Sequence, residues 1–142
     1  MPEFKYAKGR ITESLQFIAS EMKEFDAEYA NKTWENYQQD KKLQKLMDRT
    51  LENILTALIE ICGTILAQEG SSVENYLQAL KECSAKLGFS CDDQEALAKL
   101  ALQRNRLAHR YLNFRWQAIA MFINAKPLIQ KLIIKISERE RK

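Results

Sequence analysis

The chain has 142 residues, of which 46% are hydrophobic and 29% are charged, and its formal net charge is +3. These values are typical of one globular domain over residues 1–142, and they exclude an intrinsically disordered chain. Only four Gly and two Pro are present. Because closely spaced turns depend on these residues, the composition argues against a sandwich or barrel and favours long helices.

Apolar residues at alternating spacings of four and three predict a first helix over residues 8–31. Its stripe consists of Ile11, Leu15, Ile18, Met22, Phe25 and Tyr29. Residues 31–34 are predicted to form a short connection. The same spacing predicts a second helix over residues 39–68, which is apolar around much of its middle and therefore central. Gly70 is a typical signal for its end.

A short third helix is predicted to open at a capping box formed by Ser71 and Glu74, and to end near Leu87. The fourth helix is predicted over residues 92–111, because a capping serine and two aspartates stand at its start. No internal repeat or low-complexity segment interrupts this order.

Asn113 marks a predicted break, and a fifth helix is expected to begin near Phe114. Pro127 lies inside it and is expected to kink or split it, because proline lacks an N–H and clashes with the preceding turn. The predicted fold is therefore all-α, an antiparallel bundle of about five helices, four of them long.

Charge is distributed unevenly along the chain. Residues 1–95 contain 11 basic and 17 acidic side chains, whereas residues 96–137 contain eight basic side chains and no acid. A basic C-terminal third on an acidic body suggests a surface that faces a polyanion. The alternative, a solvated face that happens to be basic, is about equally consistent with charge alone.

The three cysteines, Cys62, Cys83 and Cys91, form no CxxC pair, and His109 is the only histidine. We therefore expect reduced thiols in a cytoplasmic protein, with no metal site and no cofactor. The N-terminus is polar and lacks the apolar segment of a signal peptide, so no signal peptide is expected. A membrane span is not expected either, because the sequence has no long uninterrupted apolar run.

Four of the eight arginines lie within residues 104–115, close to His109. Arginine presents a planar fork that matches phosphate oxygens, so this cluster indicates phosphate binding. We assign this role to Arg106, Arg110 and Arg115. Arg106 and Arg110 are like charges one helical turn apart, an arrangement that costs a few tenths of a kcal/mol unless an anion lies between them.

On an ideal helix Asn105 and His109 share a face, so Asn105 is expected to orient the imidazole through a hydrogen bond. Arg104 lies about 140° away from His109 on the same ideal helix. These two side chains can meet on one substrate only if the helix ends or distorts there, or if a second copy of the chain completes the site. The predicted break at Asn113 favours an exposed helix end.

RNA can be cleaved without metal when its 2′-OH attacks the adjacent phosphate. This step needs a base, a role that suits His109, and a cation for the added phosphate charge, a role that suits Arg104. An acid is also needed, and because the chain has one His, a two-fold homodimer would have to supply the second. DNA lacks the 2′-OH and would be spared.

The pattern Arg104-Asn105-x-x-x-His109-x-Tyr111 resembles the signature of HEPN domains in the form found in HepT toxins. The resemblance implies an all-α homodimer whose cleft lies between the motif helices. It also implies ribonuclease activity on RNA, notably tRNA, in a toxin–antitoxin pair. The implied partner is a minimal nucleotidyltransferase antitoxin that adenylylates the motif tyrosine, here Tyr111.

The chain departs from relatives that carry an acidic residue soon after this tyrosine, because Asn113, Phe114 and Arg115 stand there. Two other functions fit the sequence. One is a HEPN subunit that binds substrate or nucleotide for a nucleotidyltransferase without cleaving RNA, and the other is a helical interaction protein with a basic face. Incubation with bulk tRNA in EDTA would separate the nuclease from both.

Overall fold

The computed structural model describes residues 9–141, which contain seven α-helices joined by short turns. In chain order they are α1 (Arg10–Glu28), α2 (Trp34–Gln39), α3 (Lys41–Gln68), α4 (Tyr76–Lys86), α5 (Cys91–Ala98), α6 (Leu100–Leu107) and α7 (Leu112–Glu140). These residues contain no strand, and the predicted all-α bundle is confirmed.

Helix α3 is the central element, and it contacts α1, α2, α4, α6 and α7. It is also the one helix of the described residues that is long and apolar enough to cross a membrane, with a mean hydropathy of 1.5 over an 18-residue window. However, 72% of that window is buried in the bundle. A helix that is apolar around much of its surface is expected at the centre of a helical core.

Helix α2 was not predicted, and it occupies the interval between the predicted connection over residues 31–34 and the predicted second helix. Thr33 and Asn36 form a reciprocal capping box, in which each side chain accepts from the other residue's backbone N–H at 3.2 and 3.0 Å. This cap starts a helix of only six residues. Tyr37 is fully buried; its ring stacks with Trp34 at 6.3 Å between centroids and packs at a tilt against Trp116 at 5.2 Å. Burial of this aromatic cluster stabilises a helix too short to form alone.

The predicted end of α3 is confirmed, whereas the predicted start of α4 is wrong. Gly70 follows the last turn of α3 with φ of 77°, the left-handed conformation that glycine adopts without steric cost. Ser71 and Glu74 do not form the predicted capping box. Asn75 caps α4 instead and accepts from the Gln78 backbone N–H at 2.8 Å, since asparagine is as effective a cap as serine.

The predicted fourth helix over 92–111 is divided at Lys99 into α5 and α6, and it ends at Leu107. The chain then turns through residues 108–111, and α7 begins at Leu112, two residues before the predicted start. Pro127 does not split α7, which continues for 29 residues. Pro127 is exposed. The break in this part of the chain thus lies inside the predicted functional motif.

All three cysteines are free thiols; Cys62 and Cys83 are buried and Cys91 is exposed. A hydrogen bond with Cys83, together with burial, raises the pKa of the Cys62 thiol well above its ordinary value. A neutral buried thiol behaves as a small apolar side chain, so we assign Cys62 and Cys83 to the core.

Candidate active site

The predicted motif spans the end of α6, the following turn and the first residue before α7. Backbone N–H groups of Ala108 and His109 close the last turn of α6 by donating to the carbonyls of Asn105 and Arg106, at 3.2 and 3.0 Å. Arg104 is therefore helical, whereas His109 lies in an exposed turn. The angle of about 140° between Arg104 and His109, expected for an ideal helix, therefore does not apply. The structure contains the exposed helix end that was predicted, at the end of α6.

The His109 ring is held on three sides. Tyr111 lies against one face with 4.9 Å between ring centroids, and Phe114 approaches edge-on at 4.8 Å. The backbone N–H of Tyr111 donates to Nδ1 of His109 at 3.2 Å. A ring nitrogen that accepts a hydrogen bond carries no proton, so the neutral imidazole has its proton on Nε2.

Asn105 does not perform the predicted orienting role in this arrangement. Its side chain is exposed, and no hydrogen bond joins Asn105 to His109 within residues 9–141. The reason is that α6 ends before His109, so the two residues no longer share a helical face. The Tyr111 backbone makes the contact that the sequence assigned to Asn105.

Arg104 extends toward α3 and α4. Its Nε donates to Oγ1 of Thr56 at 2.8 Å, and its guanidinium lies 5.5 Å from the centre of the Tyr76 ring. Thr56 belongs to α3 and Tyr76 opens α4, so the side chain is held by two helices. No hydrogen bond or ring contact among the described side chains links Arg104 to His109.

Arg104 also borders a groove of about 450 Å³ between α1 and α3. Three carboxylates line this groove, from Glu13, Glu52 and Glu60. Carboxylates repel a phosphate backbone and attract the arginine side chain. In a single chain, Arg104 thus lies in an acidic environment rather than in an anion site.

The remaining arginines of the motif differ in their surroundings. Arg110 is exposed, with its guanidinium 5.2 Å from the centre of the Tyr111 ring and Nη2 donating to the Tyr111 hydroxyl at 3.4 Å. Arg106 is half-buried, and its Nη1 donates to Oε1 of Gln103 at 3.4 Å. Of the predicted phosphate ligands, Arg110 is the one that contacts Tyr111, whose ring in turn lies against His109.

Arg115 occupies the first turn of α7 and forms an ion pair with Asp48 of α3, with 2.7 Å between Nη1 and Oδ2. The fully buried Tyr37 donates from its hydroxyl to the other oxygen of Asp48, also at 2.7 Å. Burial raises the pKa of the Asp48 carboxyl, although both hydrogen bonds oppose the shift. Burial is also the main cause that raises the pKa of Tyr37. Arg115 is therefore paired inside the fold, and we leave it out of the phosphate site.

Asp48 and Tyr37 were not anticipated as part of the site. One signal in the sequence could have revealed Asp48, because it lies within the apolar stripe of α3 beside Met47 and Leu51. A carboxylate on the buried face of a core helix requires a partner. The identity of that partner, 67 residues away in sequence, could not have been found from spacing.

The model of the HepT-like ribonuclease family matches residues 15–136, which include α2 to α6 entirely and most of α1 and α7. The chain belongs to this family. None of the curated proteins compared with the chain matches it. The HepT-like family assignment confirms the resemblance inferred from the Arg104–His109 pattern and supports a ribonuclease function.

Proposed function

We propose that this HepT-like protein is a metal-independent endoribonuclease. The observation that carries the proposal is the exposed His109 imidazole, which Tyr111 fixes in orientation while the Tyr111 ring also contacts the Arg110 guanidinium, in a chain of a ribonuclease family. An oriented imidazole beside a guanidinium is suited to a phosphodiester, since one group exchanges protons or donates hydrogen bonds and the other offsets charge.

In the proposed reaction the 2′-oxygen of RNA forms a bond to the adjacent phosphorus, and the bond from phosphorus to the 5′-oxygen breaks. The 2′-OH loses its proton to water and the leaving 5′-oxygen takes one from water, so protons balance. The products end in a 2′,3′-cyclic phosphate and a 5′-hydroxyl. Neutral His109 exposes Nε2–H, which suits hydrogen-bond donation to a phosphate oxygen. The sequence predicted that His109 is the base, a role that requires a free nitrogen lone pair. The Nδ1 lone pair is not free, because it accepts the hydrogen bond from the Tyr111 backbone N–H.

We propose that two copies of the chain form the complete site. Arg104 and His109 do not contact each other in one copy, because Arg104 is held by α3 and α4 whereas His109 lies in the turn after α6. A two-fold axis near the turn between α6 and α7 would bring two His109 rings into one cleft. It would also allow Arg104 of one copy to approach the RNA held at the other.

Sedimentation should therefore give the mass of a two-fold homodimer. Mixing Arg104→Ala chains with His109→Ala chains should restore part of the lost cleavage. Each mixed dimer would contain one pair of intact side chains, with Arg104 from one copy and His109 from the other. The measurement is the initial cleavage rate of the mixture against each variant alone. A strictly monomeric mass with full activity would contradict the shared site.

The HEPN resemblance supports further proposals. The chain is a cytoplasmic toxin, its RNA substrate is tRNA, and its partner is a cognate minimal nucleotidyltransferase that neutralises it by adenylylating Tyr111. Tyr111 is suited to such modification because 51% of its surface is exposed. Arg110 beside its hydroxyl would lie close to the attached phosphate.

Cleavage of bulk tRNA in the presence of EDTA tests the proposed reaction. We expect fragments that end in 2′,3′-cyclic phosphate, and we expect a substrate with 2′-deoxyribose at the cut position to remain intact. Intact tRNA after incubation with the purified homodimer would instead favour the alternative, a non-catalytic subunit that binds substrate or nucleotide for a nucleotidyltransferase. Cleavage that EDTA abolishes would contradict metal independence.

A further inference from the structure

Hydrogen bonds of Arg115 and Tyr111, together with the covalent chain of these two residues, connect the buried carboxylate of Asp48 to the exposed imidazole of His109. Asp48 accepts from the Tyr37 hydroxyl and from Arg115 Nη1, both at 2.7 Å. The backbone N–H of Arg115 donates to the carbonyl of Tyr111 at 3.3 Å. The backbone N–H of Tyr111 then donates to Nδ1 of His109 at 3.2 Å.

We infer that Asp48, acting through Arg115 and the Tyr111 backbone, is a positioning residue that holds His109 in its Nε2–H tautomer. Arg115 is the central member of this arrangement. Its side chain ties the first turn of α7 to α3, and its backbone ties Tyr111 to that turn. Arg115 is therefore assigned to positioning, not to phosphate binding.

The geometry of Tyr111 explains how the constraint reaches the ring. Tyr111 is the N-cap of α7 and adopts φ of −80° and ψ of 126°, an extended conformation. Its carbonyl is fixed by Arg115, so these two torsions determine where its N–H points. That N–H is directed at Nδ1 of His109, where only an unprotonated nitrogen can accept it.

Burial makes Asp48 suited to this task. The residue is 8% exposed, Tyr37 is fully buried, and the Arg115 side chain is only 18% exposed. In such surroundings an ion pair is poorly screened by water, and removal of one partner leaves an uncompensated charge. The position of Arg115 is consequently determined much more strictly than that of the exposed Arg110.

The His109 tautomer can be measured directly, because the chain contains a single histidine. The full-length protein, labelled with ¹⁵N, would give long-range ¹H–¹⁵N spectra in which both ring nitrogens are assigned without ambiguity, at a pH where the ring is neutral. We expect Nε2 to carry the proton. We also expect a coupling across the hydrogen bond between the Tyr111 amide nitrogen and Nδ1.

Asp48→Asn should shift the tautomer ratio toward that of free histidine by about 2- to 12-fold, the factor that one ordinary hydrogen bond provides. Tyr37→Phe should shift it less and in the same direction. Because Asp48→Asn leaves the Arg115 cation unpaired and so lowers stability, the double variant Asp48→Asn with Arg115→Met removes both charges and should give the same shift.

Asp26→Asn is the matched control. It breaks the ion pair between Asp26 of α1 and Lys126 of α7, so it also loosens a contact of α7 with a neighbouring helix. We expect it to leave the tautomer unchanged. An Nδ1–H ring in the wild-type protein would overturn the inference, as would an unchanged tautomer in the folded double variant or an equal shift in Asp26→Asn. The consequence for cleavage rests on the proposed function, whereas the tautomer is read without RNA, so either proposal can fail alone.

Discussion

Replacing Arg104 with alanine is expected to lower the rate of RNA cleavage by about 10²–10³-fold, the usual effect of removing one donor that stabilises charge in a transition state. His109→Ala is expected to lower it by a similar factor, about 10²–10³-fold, through loss of the Nε2–H hydrogen-bond donor at the phosphate. Both variants should lose toxicity in cells. Initial rates on labelled tRNA in EDTA and growth after induction measure these effects.

Folding must be compared in the same experiments, because Arg104→Ala also removes the hydrogen bond to Thr56 and the contact with the Tyr76 ring. Circular dichroism and thermal melting would show whether the bundle persists. Lys23→Ala removes one exposed positive charge of α1 and serves as the charge-matched control. Toxicity of either motif variant equal to that of the wild type would reject the nuclease proposal.

Co-expression with a cognate nucleotidyltransferase is expected to add one or more AMP units to Tyr111 and to silence the ribonuclease. In this reaction the tyrosine oxygen bonds to the α-phosphorus of ATP and pyrophosphate leaves. The new phosphodiester would lie beside Arg110 and compete with RNA phosphate, at about 1.5–3 kcal/mol for each charge-assisted hydrogen bond. Arg104 and Arg115 are held elsewhere, because their side chains contact Thr56 and Asp48.

Tyr111→Phe should remain unmodified, as determined by intact-mass and peptide mass spectrometry. Tyr76→Phe is the matched control, since Tyr76 is the other tyrosine with substantial exposure among residues 9–141, at 39%. That variant should still be modified on Tyr111. An unmodified Tyr111 in a fully neutralised toxin would mean that the partner inhibits by binding alone.

The fold class and the central position of α3 could be predicted from sequence, because the apolar spacing of a helix is a local property. The ends of the helices could be predicted less well from sequence. Asn75 and Ser71 lie four residues apart and are comparable capping residues, so only the packing of α4 determines which of them starts the helix. Helix α2 was missed because it has six residues, too few for a periodic pattern, and depends on burial of Tyr37.

The residue types of the candidate site were predictable, but their contacts were not. Ring orientation at His109 depends on α6 ending at Leu107, which spacing within the motif does not reveal. Arg104 finds its partner 48 residues away in sequence, at Thr56. Such pairs are determined by how helices pack against one another, and a single sequence contains no local signal for them.

The aromatic cluster of Trp34, Tyr37 and Trp116, which stabilises α2, also provides an intrinsic fluorescence probe. Trp34 and Trp116 are the two tryptophans of the chain, and their ring centroids are 5.9 Å apart. Both pack against Tyr37, whose hydroxyl donates to Asp48. Intrinsic tryptophan emission therefore originates at the junction of α2, α3 and α7, so a spectral change on adding RNA or a partner protein would report movement there without an introduced label.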